Sequence, residues 1–368
     1  MKLSSLLLSV ASLTTLAFAI PNPIPGSSNI QLRDPAIAYN AASKKYFVFS
    51  TGKGIRTYTA TSLTGPWTAV GSVLPNCTVI TDIPISGCSL WAPDVRLVNG
   101  RYTLYYSVSQ LSTQNSAIGV ATSPTMEPGS WTDHGAVVRS KKGDSYNAID
   151  GNVVLDNGKL KLGFGSYWGG IFQVDLKAIN KTSQSPPGTH LAGGTAAPRR
   201  AASPTSPWAR PTGSSSSPTA TPPSPAYVSP FPPSSPSSPF LFLSSSSLSP
   251  LSPVLTYLCL CVSCVLQEKT RVAAGREYKV RVGRAKSSSG PFLDGSGHAI
   301  TAGTTSGWNI LGSHDNVYAP GGQSLFRDPV SRRDVIVYHY VRMDEVGGAS
   351  YLGINYVDFS SGEPVLVN

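Results

Sequence analysis

NSAIGVATSPTMEPGSWTDHG, residues 115–135, is repeated in outline at two other places in the chain. Residues 55–71 read IRTYTATSLTGPWTAVG, and residues 280–297 read VRVGRAKSSSGPFLDGSG. Each copy places a short strand, a run of small polar residues and a Gly-x-aromatic turn in the same order. Gly65 and Gly129, in two of these turns, are separated by about 64 positions, and a repeat of that length with several strands in it predicts the blade of a β-propeller.

The β-rich runs before these turns open on motifs that contain proline: RDPAIAYN at 33–40, LWAPDVRLVNG at 90–100 and VYAPGGQSLF at 317–326. The step from Asp34 to Asp94 is about 60 positions, close to the repeat length, so we interpret Asp94 as the repeat of Asp34 at a blade start. No stretch long enough for a domain-scale helix has a 3.6-residue period. The chain is therefore predicted to be all-β, with a candidate site where the blade starts converge on a central channel.

The N-terminus has the pattern of a secretory signal. Lys2 precedes an apolar run from Leu6 to Leu16, and Ala17-Phe18-Ala19 forms a small-residue cleavage site. Residues 1–19 are therefore interpreted as a signal peptide, and the protein is expected to be secreted to the extracellular space.

Secretion permits disulfides. Cys77 and Cys88 flank a short loop, whereas the other three of the five cysteines cluster at 259–264. We therefore expect a disulfide between Cys77 and Cys88.

The chain has a formal net charge of +10 at pH 7. Its basic residues are scattered, without a basic stripe or interleaved aromatic side chains, so the charge does not indicate a nucleic-acid interface. We expect no nucleic-acid partner, no membrane association after signal cleavage, and a monomer.

The composition changes abruptly at residues 197–268, which are dominated by Ser and Pro with Phe, Leu and a late Cys cluster. Such sequence buries too little apolar surface to offset its ordering entropy, which favours a disordered linker. A membrane anchor at Val254–Leu266 is a second interpretation, but its thirteen residues are fewer than the roughly 20 that span a bilayer. A third is a retained intron or frameshift, because Ser, Pro, Phe and Leu codons can have pyrimidines in both of the first two positions.

Spacing favours the third interpretation. The step from Gly129 to Gly290 is about 161 positions, whereas two repeats of about 60–64 predict roughly 120–128. The excess is smaller than the Ser/Pro-rich segment at 197–268, so native sequence is expected to be replaced as well as interrupted.

The predicted divisions are a signal peptide at 1–19, the first part of the propeller domain at 20–196, a non-native or disordered segment at 197–268, and the last part of the propeller domain at 269–368.

The longest motifs, taken together and in order, resemble those of the fungal endo-1,5-α-L-arabinanases of glycoside hydrolase family 43. The resemblance covers about 30–196 and 270–368, and it implies a five-bladed β-propeller with one blade disrupted by the Ser/Pro-rich segment. It also implies inverting hydrolysis of internal α-1,5-arabinofuranosyl bonds in plant-wall arabinan, without an organic cofactor. The motifs that carry it are RDPAIAYN (33–40), LWAPDVRLVNGRYTLYYSVS (90–109), NSAIGVATS with GSWTDHG (115–135), YNAIDGNVVLDNGKLKLGFGSYW (146–168) and SHDNVYAPGGQSLF (313–326).

The resemblance assigns the general base to Asp34 and an orienting role, which also raises the pKa of the acid, to Asp150. Inversion needs one carboxylate to activate water and a separate acid to protonate the leaving oxygen, with the two carboxyl groups roughly 6.5–9.5 Å apart. A further negative charge nearby favours the protonated form of the acid. Gly151 departs mildly from the family pattern, which has another residue after this Asp.

The general acid is missing from the pattern. The family has a Glu at the opening of the fourth blade, which falls inside the Ser/Pro-rich segment, yet no Glu occurs between Glu127 and Glu268. Glu268 and Glu277 lack the motif context, so the acid stays unassigned. General acid–base catalysis typically contributes about 10²–10⁴-fold, so the 368-residue chain is expected to be nearly inactive.

Other residues are assigned to the cleft or the channel. His314 matches the family's channel histidine, which helps to hold a central ion, often calcium, largely through water. His339 is mid-strand and is interpreted as structural, and Asp94 is equally consistent with a structural role. The residues proposed to contact sugar are Trp91, Asn147, Ser166 and Trp168.

Three other functions stay open at this point. An arabinofuranosidase or β-xylosidase on the same fold would release monomer rather than a product ladder. A catalytically silent carbohydrate-binding propeller would bind without turnover, and a surface protein on a Ser/Pro stalk would require the Ser/Pro-rich segment to be real.

Overall fold

The computed structural model describes residues 19–166, 168–193, 277–301 and 307–368, together with the backbone of 241–245 and 256–262. The predicted signal peptide up to residue 18 lies outside the described residues, as does most of the Ser/Pro-rich segment. Within the described ranges, no helix is long and apolar enough to cross a membrane.

The first two sheets are antiparallel and are built from the N-terminal part of the chain. Their strands form because β-branched and aromatic residues fill the positions between the sheets; Phe47 and Phe49, for example, are fully buried. The strands are β1 (Ala36–Asn40), β2 (Lys45–Ser50), β3 (Gly52–Lys53), β4 (Arg56–Ala60), β5 (Thr68–Ser72), β6 (Ser89–Val98), β7 (Arg101–Val108), β8 (Ser116–Ser123) and β9 (Thr132–Ser140). The first sheet has the order β1-β2-β4-β5, and the second has the order β3-β6-β7-β8-β9.

The third sheet follows directly along the chain. Its strands are β10 (Asn152–Asp156), β11 (Lys159–Ser166), β12 (Gly170–Ala178), β13 (Lys181–Thr182) and β14 (Thr189–Ala192). It has the order β10-β11-β12-β13, and β14 also pairs with β12. Two-residue turns at Asn157-Gly158 and at Asn99-Gly100 connect inner hairpins of the third and second sheets, and all four residues have positive φ, as a type I′ hairpin turn requires.

Two strands lie inside the segment that the sequence predicts to be non-native or disordered. They are β15 (Leu241–Ser245) and β16 (Thr256–Val262), and β16 pairs with β17 (Lys279–Ala285), which pairs with β18 (Trp308–Leu311). The sequences LFLSS and TYLCLCV are apolar and carry β-forming residues, unlike the Ser/Pro runs around them. The backbone of β15 lies beside β10.

The last sheet packs against the first, so the sheets form a propeller arrangement. Its strands, in the order given, are β19 (Val317–Arg327), β20 (Asp334–Arg342), β21 (Ser350–Asp358) and β22 (Val365–Val367). Ile37 and Val48 of the first sheet share an apolar cluster with Val335 and Val337 of the last. Similar clusters join the first sheet to the second and the second to the third. Each inner strand, β1, β6, β10 and β19, therefore begins near a common axis.

The structure corrects the register of the repeat. Asp34, Ala92, Asp150 and Ala319 share a left-handed backbone, with φ of 48°, 40°, 58° and 50°. Each immediately precedes Pro or Gly at an inner-strand start. The equivalent of Asp34 in the second sheet is thus Ala92, and Asp94 lies further along the strand. In the numbering Ala92 is midway between Asp34 and Asp150, so the first two steps of the repeat are equal.

The repeated turns and the disulfide agree with the sequence predictions. Gly65, Gly129 and Gly290 all have left-handed φ, of 86°, 84° and 79°, a conformation that glycine adopts without steric cost. Cys77 and Cys88 form a disulfide with Cα atoms 5.6 Å apart, which confirms the predicted pairing.

Candidate active site

The two predicted carboxylates face one open cavity at the strand starts. Asp34 begins the inner strand of the first sheet and Asp150 that of the third, on either side of Ala92 in the second. The cavity is lined by Asp34, Pro35, Ala92, Pro93, Asp94, Asp150, Gly151, Asn152, Gly322 and Gln323.

Asp34 is held by contacts from two other elements. Its Oδ2 accepts a hydrogen bond of 2.6 Å from the Thr51 hydroxyl. Its backbone N–H donates to Nδ1 of His339, at 3.1 Å, and the same nitrogen lies 3.4 Å from Oδ1. The carboxylate stays partly exposed, with 14% of the side chain accessible, whereas His339 is fully buried. Asp34 therefore has a fixed orientation and still reaches the cavity.

Gly322 on β19 makes room for this arrangement. It has a left-handed φ of 54°, and a Cβ placed there would overlap Oδ1 of Asp34 and the imidazole of His339. No side chain larger than hydrogen fits between the two groups, so the close approach of the last sheet to Asp34 requires glycine.

Asp150 is more deeply buried than Asp34, at 8% exposure. Its backbone N–H donates to the Ser107 hydroxyl at 2.8 Å, which fixes the strand start. Burial, and then the nearby negative charge of Asp34, raise the pKa of Asp150 well above its usual range. Two carboxylates that face one cavity repel each other when both are ionised, and in this site the repulsion adds to the effect of burial on the pKa of Asp150.

Asp94 has a structural position next to the same cavity. It is 2% exposed, and its Oδ2 accepts from the backbone N–H of Val153, which ties β6 to β10. Its Oδ1 lies 3.5 Å from the guanidinium of Arg96, which in turn donates to the backbone oxygen of Leu325 on β19. Burial raises the pKa of Asp94, and the positive charge of Arg96 opposes that shift.

The four predicted sugar contacts differ in exposure. Trp91 is partly exposed and adjoins Ala92, with its ring N–H donating to Ser89, and Trp168 is also partly exposed. Asn147 and Ser166 are 2% and 1% exposed. The Asn147 amide accepts from Ser140, and the Ser166 hydroxyl accepts from the Trp168 backbone. None of the four is among the residues that line the cavity with Asp34 and Asp150, so all four stay predictions, and only the two tryptophans are partly exposed.

His314 does not have the surroundings of a direct metal ligand. Its Nδ1 lies 2.9 Å from the carbonyl oxygen of Gly312, and its Nε2 lies 3.3 Å from that of Pro21. Both ring nitrogens thus face backbone oxygens rather than an open site. The described part of the chain has no group of three or more His, Cys, Asp or Glu side chains suited to a metal. A calcium ion held through water stays a prediction from the resemblance, and no chemical step is derived through it.

The comparisons with known proteins agree with this geometry. Residues 20–213, more than half of the chain, match the family described as glycosyl hydrolases family 43. The chain belongs to this family. Across 371 residues it is 38% identical to the arabinan endo-1,5-alpha-L-arabinosidase A of Aspergillus aculeatus, with 98% of each chain covered. It is also 38% identical, over 374 residues and 99% of each chain, to the probable arabinan endo-1,5-alpha-L-arabinosidase A of Aspergillus clavatus.

A solved family 43 fold extends the comparison to three dimensions. The exo-1,5-alpha-L-arabinanase from a bovine ruminal metagenomic library superposes with a TM-score of 0.69 at 25% identity, covering 95% of this chain and 100% of that one. The family 43 matches therefore include proteins named for endo action and for exo action.

No Glu is among the described residues that line the cavity, so none of them matches the general acid that the family resemblance implies. Glu268 lies outside the described residues. Glu277 precedes β17, next to Tyr278, whose ring packs 5.5 Å from that of His339. One carboxylate oxygen of Glu277 is buried without a hydrogen-bond partner among the described residues, but Glu277 does not line the cavity.

Sequence reasoning missed two residues of this site. His339 was interpreted as structural because it is mid-strand, yet it contacts Asp34 directly. Thr51 follows the strand FVFS without any motif of its own, and it donates to the Asp34 carboxylate. Neither contact has a local signal, because both depend on which strands the fold brings together. The roles of Thr51 and His339 are therefore recognised from their positions in the folded sheets and not from the sequence pattern around them.

Asp150→Asn is expected to stabilise the fold at neutral pH. A carboxyl whose pKa is raised by folding ionises first in the unfolded chain, so stability is lost as the pH rises from about 3.9 through the folded pKa. Asn removes this loss without changing the side-chain shape. The melting temperature of Asp150→Asn should exceed that of the wild type at pH 7 and equal it near pH 3. Exposed Asp344, changed to Asn, is the control and should have no effect at either pH; a destabilised Asp150→Asn at pH 7 would contradict the assignment.

Proposed function

We propose that the chain is a secreted glycoside hydrolase that cleaves internal α-1,5-arabinofuranosyl bonds of arabinan with inversion. The observation that carries this proposal is the pair Asp34 and Asp150 at two inner-strand starts around one open cavity. The names of the Aspergillus relatives supply the substrate class. An inverting reaction needs a base and an acid whose carboxyl groups are roughly 6.5–9.5 Å apart, a separation that strand starts of different sheets can provide.

Asp34 is proposed as the general base. Its carboxylate is oriented by Thr51 and reaches the cavity, so it can accept a proton from a water molecule that attacks the anomeric carbon. Asp150 is proposed to orient the reacting groups and, in its ionised form, to keep the acid protonated. Trp91 and Trp168 are proposed to offer stacking faces to the sugar rings, with Asn147 and Ser166 supporting the cleft from below.

The proposed architecture is a five-bladed propeller whose fourth blade is disrupted by residues 197–268. Asp150 and Ala319 are equivalent positions, and one intervening blade predicts a separation of twice the step from Asp34 to Ala92. Their separation in the numbering is close to three times that step. The Aspergillus relatives align over nearly the whole of both chains, which favours replacement of native sequence over a simple insertion. We propose that the general-acid glutamate belongs at the start of this blade.

Secretion is proposed from the N-terminal signal pattern and from the disulfide between Cys77 and Cys88, which forms in oxidising compartments. The working unit is proposed to be a monomer with arabinan as its partner.

A catalytically silent carbohydrate-binding propeller is the second candidate. The observation in its favour is that no Glu occurs between Glu127 and Glu268. Such a protein would keep the cleft and bind arabinan without turnover.

Digestion of linear arabinan separates these functions. The wild-type chain, and a version with 197–268 replaced by the corresponding segment of the Aspergillus aculeatus relative, would be incubated with the polymer and the products separated by chromatography. We expect a ladder of oligosaccharides at early times. Arabinose as the sole early product would indicate exo action, and retained binding without any product from either version would indicate the silent propeller.

A further inference from the structure

We infer that Thr51 is a positioning residue that ties the proposed base, Asp34, to the start of the neighbouring sheet at Ala92. This inference rests on the proposed function, because it concerns the residue assigned there as the base. Thr51 occupies the single position between β2 and β3, where the chain passes from the first sheet to the second. The residue is therefore at the junction of the two sheets.

Three hydrogen bonds fix Thr51 in this place. Its backbone N–H donates to the carbonyl oxygen of Arg33, the residue before Asp34, at 3.1 Å. Its hydroxyl donates to Oδ2 of Asp34 at 2.6 Å. The same hydroxyl oxygen accepts from the backbone N–H of Ala92 at 2.9 Å. One side chain thus links the left-handed residues that begin the first two inner strands.

The direction of the hydroxyl bond follows from its partners. An N–H can only donate, so the Thr51 oxygen must accept from Ala92, and its single proton is directed to Asp34. On the other side, the Asp34 N–H is taken by Nδ1 of His339. The base is consequently fixed at both its backbone and its carboxylate.

The chain offers a matched control in Thr57 on β4. Thr57 is 1% exposed, and its hydroxyl has no hydrogen-bond partner among the described residues. Thr57→Val makes the same atomic change in the same sheet without touching Asp34. Thr51→Ser keeps the hydroxyl. Thr51→Val removes the hydroxyl but keeps the size of the side chain, and Thr51→Ala removes both.

The kinetic test compares these variants on linear arabinan, both in the 368-residue chain and in its segment-replaced version. Loss of a hydrogen bond to a charged group corresponds to about 10- to 100-fold, so we expect Thr51→Val and Thr51→Ala to lower kcat by about that factor with KM nearly unchanged. Thr51→Ser should recover most of kcat, and Thr57→Val should match the wild type. Equal kcat for Thr51→Val, Thr51→Ala and the wild type would overturn the inference.

Hydrogen exchange provides a test that needs no turnover. In Thr51→Val the Ala92 amide loses its acceptor and should exchange faster, while the Asp34 amide, bonded to His339, should keep its wild-type rate. Thr51→Ser and Thr57→Val should leave both rates unchanged. Should neither the 368-residue chain nor its segment-replaced version release sugar, the proposed function fails, and the tie between Asp34 and Ala92 is decided by exchange alone. Unchanged exchange at Ala92 in Thr51→Val would refute the tie.

Discussion

Replacing residues 197–268 by the corresponding segment of the Aspergillus aculeatus relative is expected to raise the initial rate of arabinan hydrolysis by about 10²-fold or more. Residues 197–268 contain no Asp, and their only Glu is Glu268 at the end. An inverting hydrolase without a proton donor forfeits general acid catalysis, which typically contributes about 10²–10⁴-fold. Restoring the segment would restore the acid and would complete the packing of the proposed fourth blade.

The control for this replacement carries the same introduced segment with its Glu residues changed to Gln. It should fold like the replaced chain and hydrolyse arabinan as slowly as the original, which separates the acid from the packing. If the 368-residue chain, with its segment verified by mass spectrometry, is as fast as the replaced version, the proposed disruption is wrong. Glu277, which adjoins Tyr278 and thereby His339, would then be the first proton donor to test.

The propeller repeat could be predicted from the sequence because its turns have strict chemical requirements. A Gly-x-aromatic turn needs a left-handed glycine, and Gly65, Gly129 and Gly290 all supply one. The disulfide was predictable as well, since the remaining cysteines cluster far along the chain. These features depend on local backbone geometry or on simple elimination, so the sequence is sufficient for them.

The register of the strand starts was not predictable from matching carboxylates. The step of about 60 positions pairs Asp34 with Asp94, whereas the backbone makes Ala92 the equivalent residue. The feature that marks equivalent positions is the left-handed residue before Pro35, Pro93 and Gly151, and it does not depend on the side chain, since Asp and Ala both adopt it. Asp94 instead bonds to Val153 in the next sheet. Equivalent strand starts therefore share a backbone conformation while their side chains differ, acidic at Asp34 and apolar at Ala92.

The contacts that hold Asp34 were beyond sequence reasoning for a different reason. His339 and Asp34 are 305 positions apart along the chain, and only the approach of the last sheet to the first brings them within 3.1 Å. Gly322 permits that approach, but the local sequence Pro-Gly-Gly-Gln does not reveal that this glycine faces Asp34 and His339. Long-range proximity of this kind follows from the closure of the fold rather than from a local pattern.

Asp34→Asn is expected to lower the rate of arabinan hydrolysis by at least about 10²-fold while leaving the fold and sugar binding intact. Asn keeps the shape of the side chain and can still accept from Thr51, but an amide oxygen cannot take a proton from water. Loss of the negative charge should also relieve its effect on Asp150, so the variant should be at least as stable as the wild type at neutral pH.

Asp94→Asn is the matched comparison. Asp94 lines the same cavity, but its carboxylate accepts a hydrogen bond from the backbone of Val153 and pairs with Arg96. It should keep more than about a tenth of the wild-type rate. The decisive measurement is the initial rate of reducing-sugar release from linear arabinan by Asp34→Asn and Asp94→Asn, both made in the segment-replaced chain, with oligosaccharide binding measured in parallel. We expect a loss of about 10²-fold or more for Asp34→Asn, with binding retained. An Asp34→Asn variant that keeps more than about a tenth of the rate would contradict the assignment of Asp34 as the base.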